Sequence, residues 1–523
     1  MLGSWNGRVV GVAWIVVCVC AAVAVPIGAA PPPIDYNATL TVAQGVDVPT
    51  LDPAVSAGTP AVTVRHSIYE GLVSMNDRGE IEPALATSWT VSPDGRTWTF
   101  KLRPGVRFQD GTPFDAAAMK RSLDRVRDPK EALPMRNYFV MIQTADAVDT
   151  STLRLITDAP FGPMLQHLAY DGGSAISPAA LAKYGKDIGS HPVGTGPYRF
   201  DSQVPGQSIT LVRFDGYWGG RPALAKLVFT AVSEDATRVA QLESNQAQVI
   251  LNVPPREALR LEQNPALTIV IKDGNRVAHI GMNVLKPPLS DKRVRQALNY
   301  AVNRRGLVGG VLDGFGTPSE SFVAPITWGY VPQHLYPYDV KKAKQLLAEA
   351  GYPNGFDTTI WTPQGRYPLD KETAVAVQGQ LAQVGVRASV QVIDWAQYLT
   401  LLRRPADQNT TQMYLLAWES VTGEIGYVSR TVFASSQWPP SGWDTMFYKN
   451  PRVDELIAQG DRTVDARARQ PIYTEIQRLV MDDAPWLFLF NYKQAIGARS
   501  NVHGFAVLPY EAIDFRKAWV AAK

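Results

Sequence analysis

The residues best equipped to meet a ligand lie between Tyr414 and Gly426, which reads Y-L-L-A-W-E-S-V-T-G-E-I-G. The apolar run Tyr414-Leu415-Leu416-Ala417 has the composition of a buried strand. It gives way to one indole, Trp418, two carboxylates, Glu419 and Glu424, and two glycines, Gly423 and Gly426. A strand that ends in such a loop offers an aromatic wall and a charge, which is the equipment of recognition rather than of bond breaking. Trp361 repeats the arrangement, closing Thr358-Thr359-Ile360-Trp361 at the polar loop Thr362 to Pro368, which carries Gly365 and Arg366. Trp89, Trp98 and Trp486 differ, because they fall inside strand-like runs and are expected in the core.

Groups that would do covalent chemistry are not arranged to do it. No two of the six histidines, His66, His167, His191, His279, His334 and His503, have the spacing of metal ligands. There is no Gly-x-Ser-x-Gly elbow and no Ser-x-x-Lys with its partner motifs. Gly194-Thr195-Gly196 lacks the third glycine of a dinucleotide loop, and Pro197 blocks a helix start there. Asp482-Asp483 is the kind of adjacency that 48 acidic residues produce by chance. No catalytic residue, metal or cofactor is expected; an envelope peptidase is the enzymatic alternative, and only unassigned carboxylates favour it.

The elements that must hold these residues belong to a large chain of 523 residues, enough for two to four domains. At 46% hydrophobic and 19% charged it can build large cores, and a net charge of +3 with no basic run argues against nucleic acid. Arg8 precedes an apolar run from Val9 to Val25, followed by Ala22-Val23-Ala24 and Gly28-Ala29-Ala30, the pattern of an export signal. An uncleaved anchor is the rival reading, and its run is short for a span of about 20 residues. Cys18 and Cys20, the two cysteines, both fall in this segment, so the mature chain has no disulfide or thiolate to use.

Beyond the Pro31-Pro32-Pro33 tether, Thr39–Ala43 alternates as a first strand. Trp89 to Leu102 reads as a hairpin turned at Pro93-Asp94-Gly95. Asp115, Ser177 and Asp339 are expected to cap helices, and Val294, Ala297, Leu298, Ala301 and Val302 trace one helical face. Val277–Val284 is expected to cross between lobes, Pro471–Val480 to be helical, and Trp486–Phe490 to be a buried central strand. The alternation of strand, loop and helix in the second half predicts an α/β lobe.

Tyr69-Glu70-Gly71-Leu72, Phe108-Gln109-Asp110-Gly111-Thr112, the Pro192–Tyr198 turn, Ala297–Asn303 and Tyr338–Phe356 occur in an order that resembles one family. It is the family 5 extracellular solute-binding proteins of peptide and nickel ABC importers. Ile176–Leu181, Lys183–Lys186, His191–Tyr198 and Phe433–Pro440 are most similar to its glutathione-binding members.

The resemblance implies an α/β, two-lobed periplasmic-binding-protein fold, type II and cluster C-like, with an extra inserted subdomain in lobe I. Residues 1–30 would be the signal peptide or anchor, and 31–276 lobe I with the insert at about 76–195. Lobe II would be 277–485, and 486–523 would return to lobe I. A glutathione molecule or short peptide would be trapped between the lobes of a monomer, in the periplasm or at the outer face of the cytoplasmic membrane, and passed to an ABC permease. A nickel chelate, haem or an oligosaccharide is the alternative cargo.

Arg366 matches an arginine that clamps a ligand carboxylate in dipeptide-binding relatives. Trp418, Gly423, Glu424 and Trp361 would form the lobe II wall, with Glu424 as the acid that reads an amine. Arg136, Asn137 and Tyr138 would reach across from the insert. The aspartate that dipeptide binders use for the ligand amine aligns with Val421, which argues against simple dipeptide binding.

Overall fold

A computed structural model describes residues 3, 32–55, 58–363 and 366–522. The expected export segment, apart from Gly3, and the loop residues Gln364 and Gly365 lie outside the described residues.

One sheet runs through the molecule. Its strands are β1 (Thr39–Gln44), β2 (Tyr198–Val204), β3 (Ser208–Arg213), β4 (Lys226–Ala231), β5 (Val249–Ile250), β6 (Leu267–Met282), β7 (Asp357–Thr362), β8 (Arg387–Val392), β9 (Met413–Glu419) and β10 (Trp486–Arg499). The spatial order is β8-β7-β9-β6-β10-β5-β1-β4-β3-β2, and the short strand Gly316–Pro318 also pairs with β10. The two long antiparallel strands, β6 and β10, stand in the middle and serve both halves.

The cores divide along those two strands. One core gathers Ala278, Leu298, Ile360, Val377, Leu415, Val480 and Trp486 to Phe490 around the late half of β6 and the early half of β10. Another gathers Leu40, Val42, Leu211, Leu227, Phe229, Ile496 and Phe515 around the opposite ends. Each strand thus leaves one hydrophobic core and enters the next, the arrangement of a two-stranded hinge between lobes. Between Asp273 and Val277 the β6–β10 register slips, and residues 274–276 stand opposite Tyr492 alone. Gly274 is required there, because a Cβ would lie 2.7 Å from the Tyr492 carbonyl oxygen.

The insert has its own core. A four-stranded sheet, ordered Ala86–Val91, Thr97–Leu102, Thr152–Thr157, Ile142–Asp149, includes the expected hairpin, with Trp89 opposite Phe100. The helix Ala116–Arg127 buries Met119, Leu123 and Val126 against it, and Asp115 caps the helix by accepting from the Ala118 N–H at 2.9 Å. Leu508, Tyr510 and Ala512, from near the C-terminus, complete this core.

The helix expected over Pro471–Val480 runs from Ala466 to Asp483. Asp465 accepts from the Ala468 N–H at 2.7 Å and starts the helix more than a turn earlier, so Pro471 lies inside it rather than at its first position. The added turn carries Arg469, whose partner matters below.

Candidate functional site: the interlobe wall at Glu419

Strand β9 delivers the wall. It pairs antiparallel with β6, from Met282 opposite Met413 to Arg276 opposite Glu419. Its first five residues are buried, as the apolar run predicts, and exposure begins at Trp418 and Glu419. Side chains alternate along a strand, so these two residues leave on opposite faces. The Trp418 ring packs against Trp443, with centroids 5.7 Å apart. Glu419 instead forms an ion pair with Arg276 at the register slip of β6.

Arg276 is shared. Its guanidinium lies 3.7 Å from the Glu511 carboxylate, and Glu511 Oε1 accepts from the Asn275 N–H at 3.1 Å. Burial pushes the Glu511 carboxyl up, Arg276 opposes that, and the neighbouring Glu419 charge adds to it. Two carboxylates therefore face one guanidinium at the hinge.

Beside this cluster a small cavity of about 10 Å³, room for about one water, lies between the lobes, lined by Thr59, Val62, Tyr170, Glu419, Val421 and Tyr510. Thr59 and Val62 come from the helix Thr59–Arg65, and the Tyr170 and Tyr510 rings meet edge to face at 6.2 Å. The Tyr510 hydroxyl and His66 Nε2 lie 2.9 Å apart. Val421 packs against the core of the insert, so a residue of the second lobe is seated on the first.

The loop after β9 closes the same contact. The Asn275 side chain donates to the Ser420 carbonyl at 2.5 Å, and the Trp328 N–H donates to the Gly423 carbonyl at 2.9 Å. Gly423 has φ +69°, and a Cβ on it would stand 2.7 Å from Met75 Sδ of the first lobe. Nearby, the Tyr138 and Tyr427 hydroxyls lie 3.4 Å apart across the lobes, and Tyr138 packs on Tyr170 at 5.5 Å. His167 Nδ1 sits 2.8 Å from the Tyr138 carbonyl, and its Nε2 is 3.4 Å from an Arg430 nitrogen. The Gly162 N–H donates to the Asp461 carbonyl at 2.7 Å.

The residues expected at the site thus separate. Gly423 and Tyr138 stand at the interlobe contact. Trp418 turns to Trp443, and Trp361 is half-buried on the second-lobe core, away from the cavity. Arg366 is exposed, over the rings of Tyr367 at 4.9 Å and Trp395 at 5.0 Å, and makes no ion pair among the described residues. Tyr367 ties it to the wall by donating from its hydroxyl to the Ala417 carbonyl at 3.3 Å. Arg136 is held against the insert, its Nε donating to the Arg127 carbonyl at 2.9 Å, and Asn137 is exposed beside it.

Glu424 differs most from expectation. It is 0% exposed, inside the second lobe, and pairs with buried Arg469 at 3.2 Å. Burial raises its pKa, and Arg469 opposes that shift. Arg469 in turn lies over Trp328 at 4.7 Å. Gly426 makes the room: a Cβ there would lie 2.3 Å from the Tyr473 hydroxyl and 2.8 Å from Glu424 Oε1. The acid on the cleft face is Glu419, which strand alternation after Trp418 could have identified. Arg276, Tyr170 and Glu511 carry no local signal; they meet Glu419 only through the fold.

Comparisons with known proteins agree with this architecture. The sequence profile of bacterial extracellular solute-binding proteins, family 5 (middle), matches residues 80–440. The glutathione-binding protein GsiB of Escherichia coli (strain K12) is 36% identical over 481 residues, covering 92% of this chain and 94% of its own. HbpA2 from Haemophilus parasuis superimposes with a TM-score of 0.84 at 25% identity, over 93% of this chain and 100% of that one. The periplasmic binding protein DppA from Helicobacter pylori, solved with the peptide STSA, gives 0.76 at 28% identity, over 93% and 98%. The fold is the α/β periplasmic-binding-protein fold, and the proteins of the family bind solutes rather than transform them. The chain belongs to the bacterial extracellular solute-binding proteins of family 5.

Proposed function

We propose that this protein is the extracytoplasmic capture component of an ABC importer, taking glutathione or a short peptide between its lobes and passing it to a membrane permease. The observation that carries the reading is the two-stranded β6–β10 hinge, which sets Thr59, Val62, Tyr170 and Tyr510 on one side against Glu419 and Val421 on the other. Only a ligand bound between the lobes touches both walls, so ligand contacts convert directly into closure. The names of the relatives, glutathione-binding protein and a DppA solved with a peptide, supply the ligand class.

In this reading the protein works as an export product, in the periplasm or at the outer face of the cytoplasmic membrane, and as a monomer. Among the described residues no helix is long and apolar enough to cross a membrane. Arg366 serves as the carboxylate clamp, because its planar guanidinium is exposed and held by ring stacking rather than by a counter-ion. Gly423 and Tyr138, at the interlobe contact, shape the cleft in this reading.

Thermal unfolding and calorimetry with reduced and oxidised glutathione, dipeptides and tetrapeptides test the proposal. A true ligand at a hundred times its Kd should add about 2.7 kcal/mol of stability. No response to any of these ligands would overturn the peptide-class reading.

A further inference from the structure

A groove of about 570 Å³ lies on the insert, between the helix Ala116–Arg127 and the end of the helix Pro178–Tyr184. Small-ligand sites usually span about 300–1,000 Å³. No second-lobe residue lines it, so filling it does not require the lobes to close. We propose that this groove is a second binding site, separate from the interlobe cleft, for a zwitterionic peptide about three residues long. Its carboxylate meets Arg121, and its ammonium meets Asp128 and Glu131.

The pairing of charges shows which groups are free to do this. Arg125 lines the groove but is committed to buried Asp52, at 2.5 and 3.1 Å, and its side chain is 12% exposed. Lys120 and Arg127 both pair with Asp124. Arg121, and Lys186 beyond the second helix, are exposed and form no ion pair among the described residues. Asp128 and Glu131 also form none, and Asp128 is engaged only by the Lys130 N–H, at 2.9 Å. Lys130 itself does not line the groove. Two free cations thus share the groove with two free acids, a balance that suits a neutral zwitterion better than an anion or a cation.

The spacing sets the length. Ala117, Arg121, Asp124 and Asp128 follow one face of the helix and its C-terminal end. From Arg121 to Asp128 the helix advances about 10 Å, too far for the two charges to neutralise each other. Three extended residues span about 10 Å. Acids are disfavoured at a helix C-terminus, so an ammonium seated at Asp128 is favoured by both the carboxylates and the helix end. At the other end the planar Arg121 guanidinium offers a carboxylate a paired contact.

Equilibrium dialysis at pH 7.5 with trialanine, N-acetyl-trialanine and trialanine amide tests the inference. Wild type should take up one more trialanine per chain than Ala117→Trp, which fills the groove and keeps every charge. Capping either end of the peptide should weaken this added site at least tenfold in wild type. Amidation should cost nothing further in Arg121→Gln, and acetylation should cost less in Glu131→Gln. These three variants change side chains outside the cores, and the two charge variants serve if Ala117→Trp fails to fold. Equal uptake by wild type and Ala117→Trp, or capping costs unchanged in both charge variants, would overturn the second site. The capture reading needs only the cleft, so its glutathione binding would survive that result; a wild type that binds neither trialanine nor glutathione would overturn both.

Discussion

At the scale of single residues, two charged side chains that share a sequence neighbourhood have opposite roles. Glu424 lies behind the wall and answers to Arg469, both fully or almost fully buried. Removing one member of a buried pair strands the other charge. Glu424→Ala should therefore lower stability by about 3–5 kcal/mol in urea denaturation, and Glu424→Met with Arg469→Met should recover most of the loss. A stability loss below about 1 kcal/mol in the single variant would mean that water already solvates Arg469. Arg366 is the reverse case, exposed over two rings and with no ion pair among the described residues. Arg366→Ala should leave the melting temperature unchanged and weaken a ligand with a free carboxylate by about 1.5–3 kcal/mol, as for a charged hydrogen bond. A C-terminally amidated ligand should bind both forms equally, and a loss that is the same for the two ligands would remove Arg366 from carboxylate recognition.

At the scale of elements, the loop after β9 acts as a closing surface, and Gly423 is its tightest point. An alanine at φ +69° costs roughly 1–2 kcal/mol in any state of the lobes. The contact of its Cβ with Met75 exists only when the lobes meet. Gly423→Ala should then lose stability modestly and lose ligand affinity about tenfold, a further 1.4 kcal/mol. Adding Met75→Ala should return part of the affinity; no return would place the defect in the loop backbone alone. These elements were largely legible beforehand. Apolar runs, alternation and capping residues located the β9 strand, the hairpin at Trp89 and the helix after Asp115, because each is set by neighbours in sequence. The site was legible only in part. Trp418 and Glu424 have the right types, but type does not say which face a side chain takes once Arg469, from a helix started by Asp465, claims the acid. The Arg276–Glu419–Glu511 cluster joins segments more than 90 residues apart: the pairing of β6 with β9 brings Arg276 to Glu419, and the Asn275 N–H holds Glu511 beside them.

At the scale of the whole molecule, the closed form has a titratable latch one layer behind Tyr170, which lines the Glu419 cavity. His167 comes from the first lobe and Arg430 from the second. A carbonyl can only accept, so the 2.8 Å contact to Tyr138 fixes the proton on Nδ1 and leaves Nε2 to accept from Arg430. Phe161 packs edge-on against the same imidazole at 5.1 Å, and Asp461 is paired to Arg430 rather than to the histidine. Burial first, then the Arg430 charge, lowers the His167 pKa to about 3 in this closed arrangement. When the lobes part, Arg430 withdraws and Nε2 meets water, which returns the group toward its ordinary value of 6.5. A proton then binds the open form better than the closed one. Closure is thus unopposed above pH 6.5 and loses up to about 1.4 kcal/mol, or tenfold in affinity, for each pH unit below it. Affinity for a ligand whose own groups do not titrate in this range should be flat from pH 8 to 7 and fall between pH 6.5 and 5. His167→Gln can still donate to Tyr138 and accept from Arg430 without taking up a proton, so it should flatten the profile and keep the neutral-pH affinity. A wild-type profile that stays flat to pH 5, or an equal decline in His167→Gln, would assign the pH response of closure to other groups; the predicted decline would make release at acidic pH a property of the lobe interface rather than of the ligand.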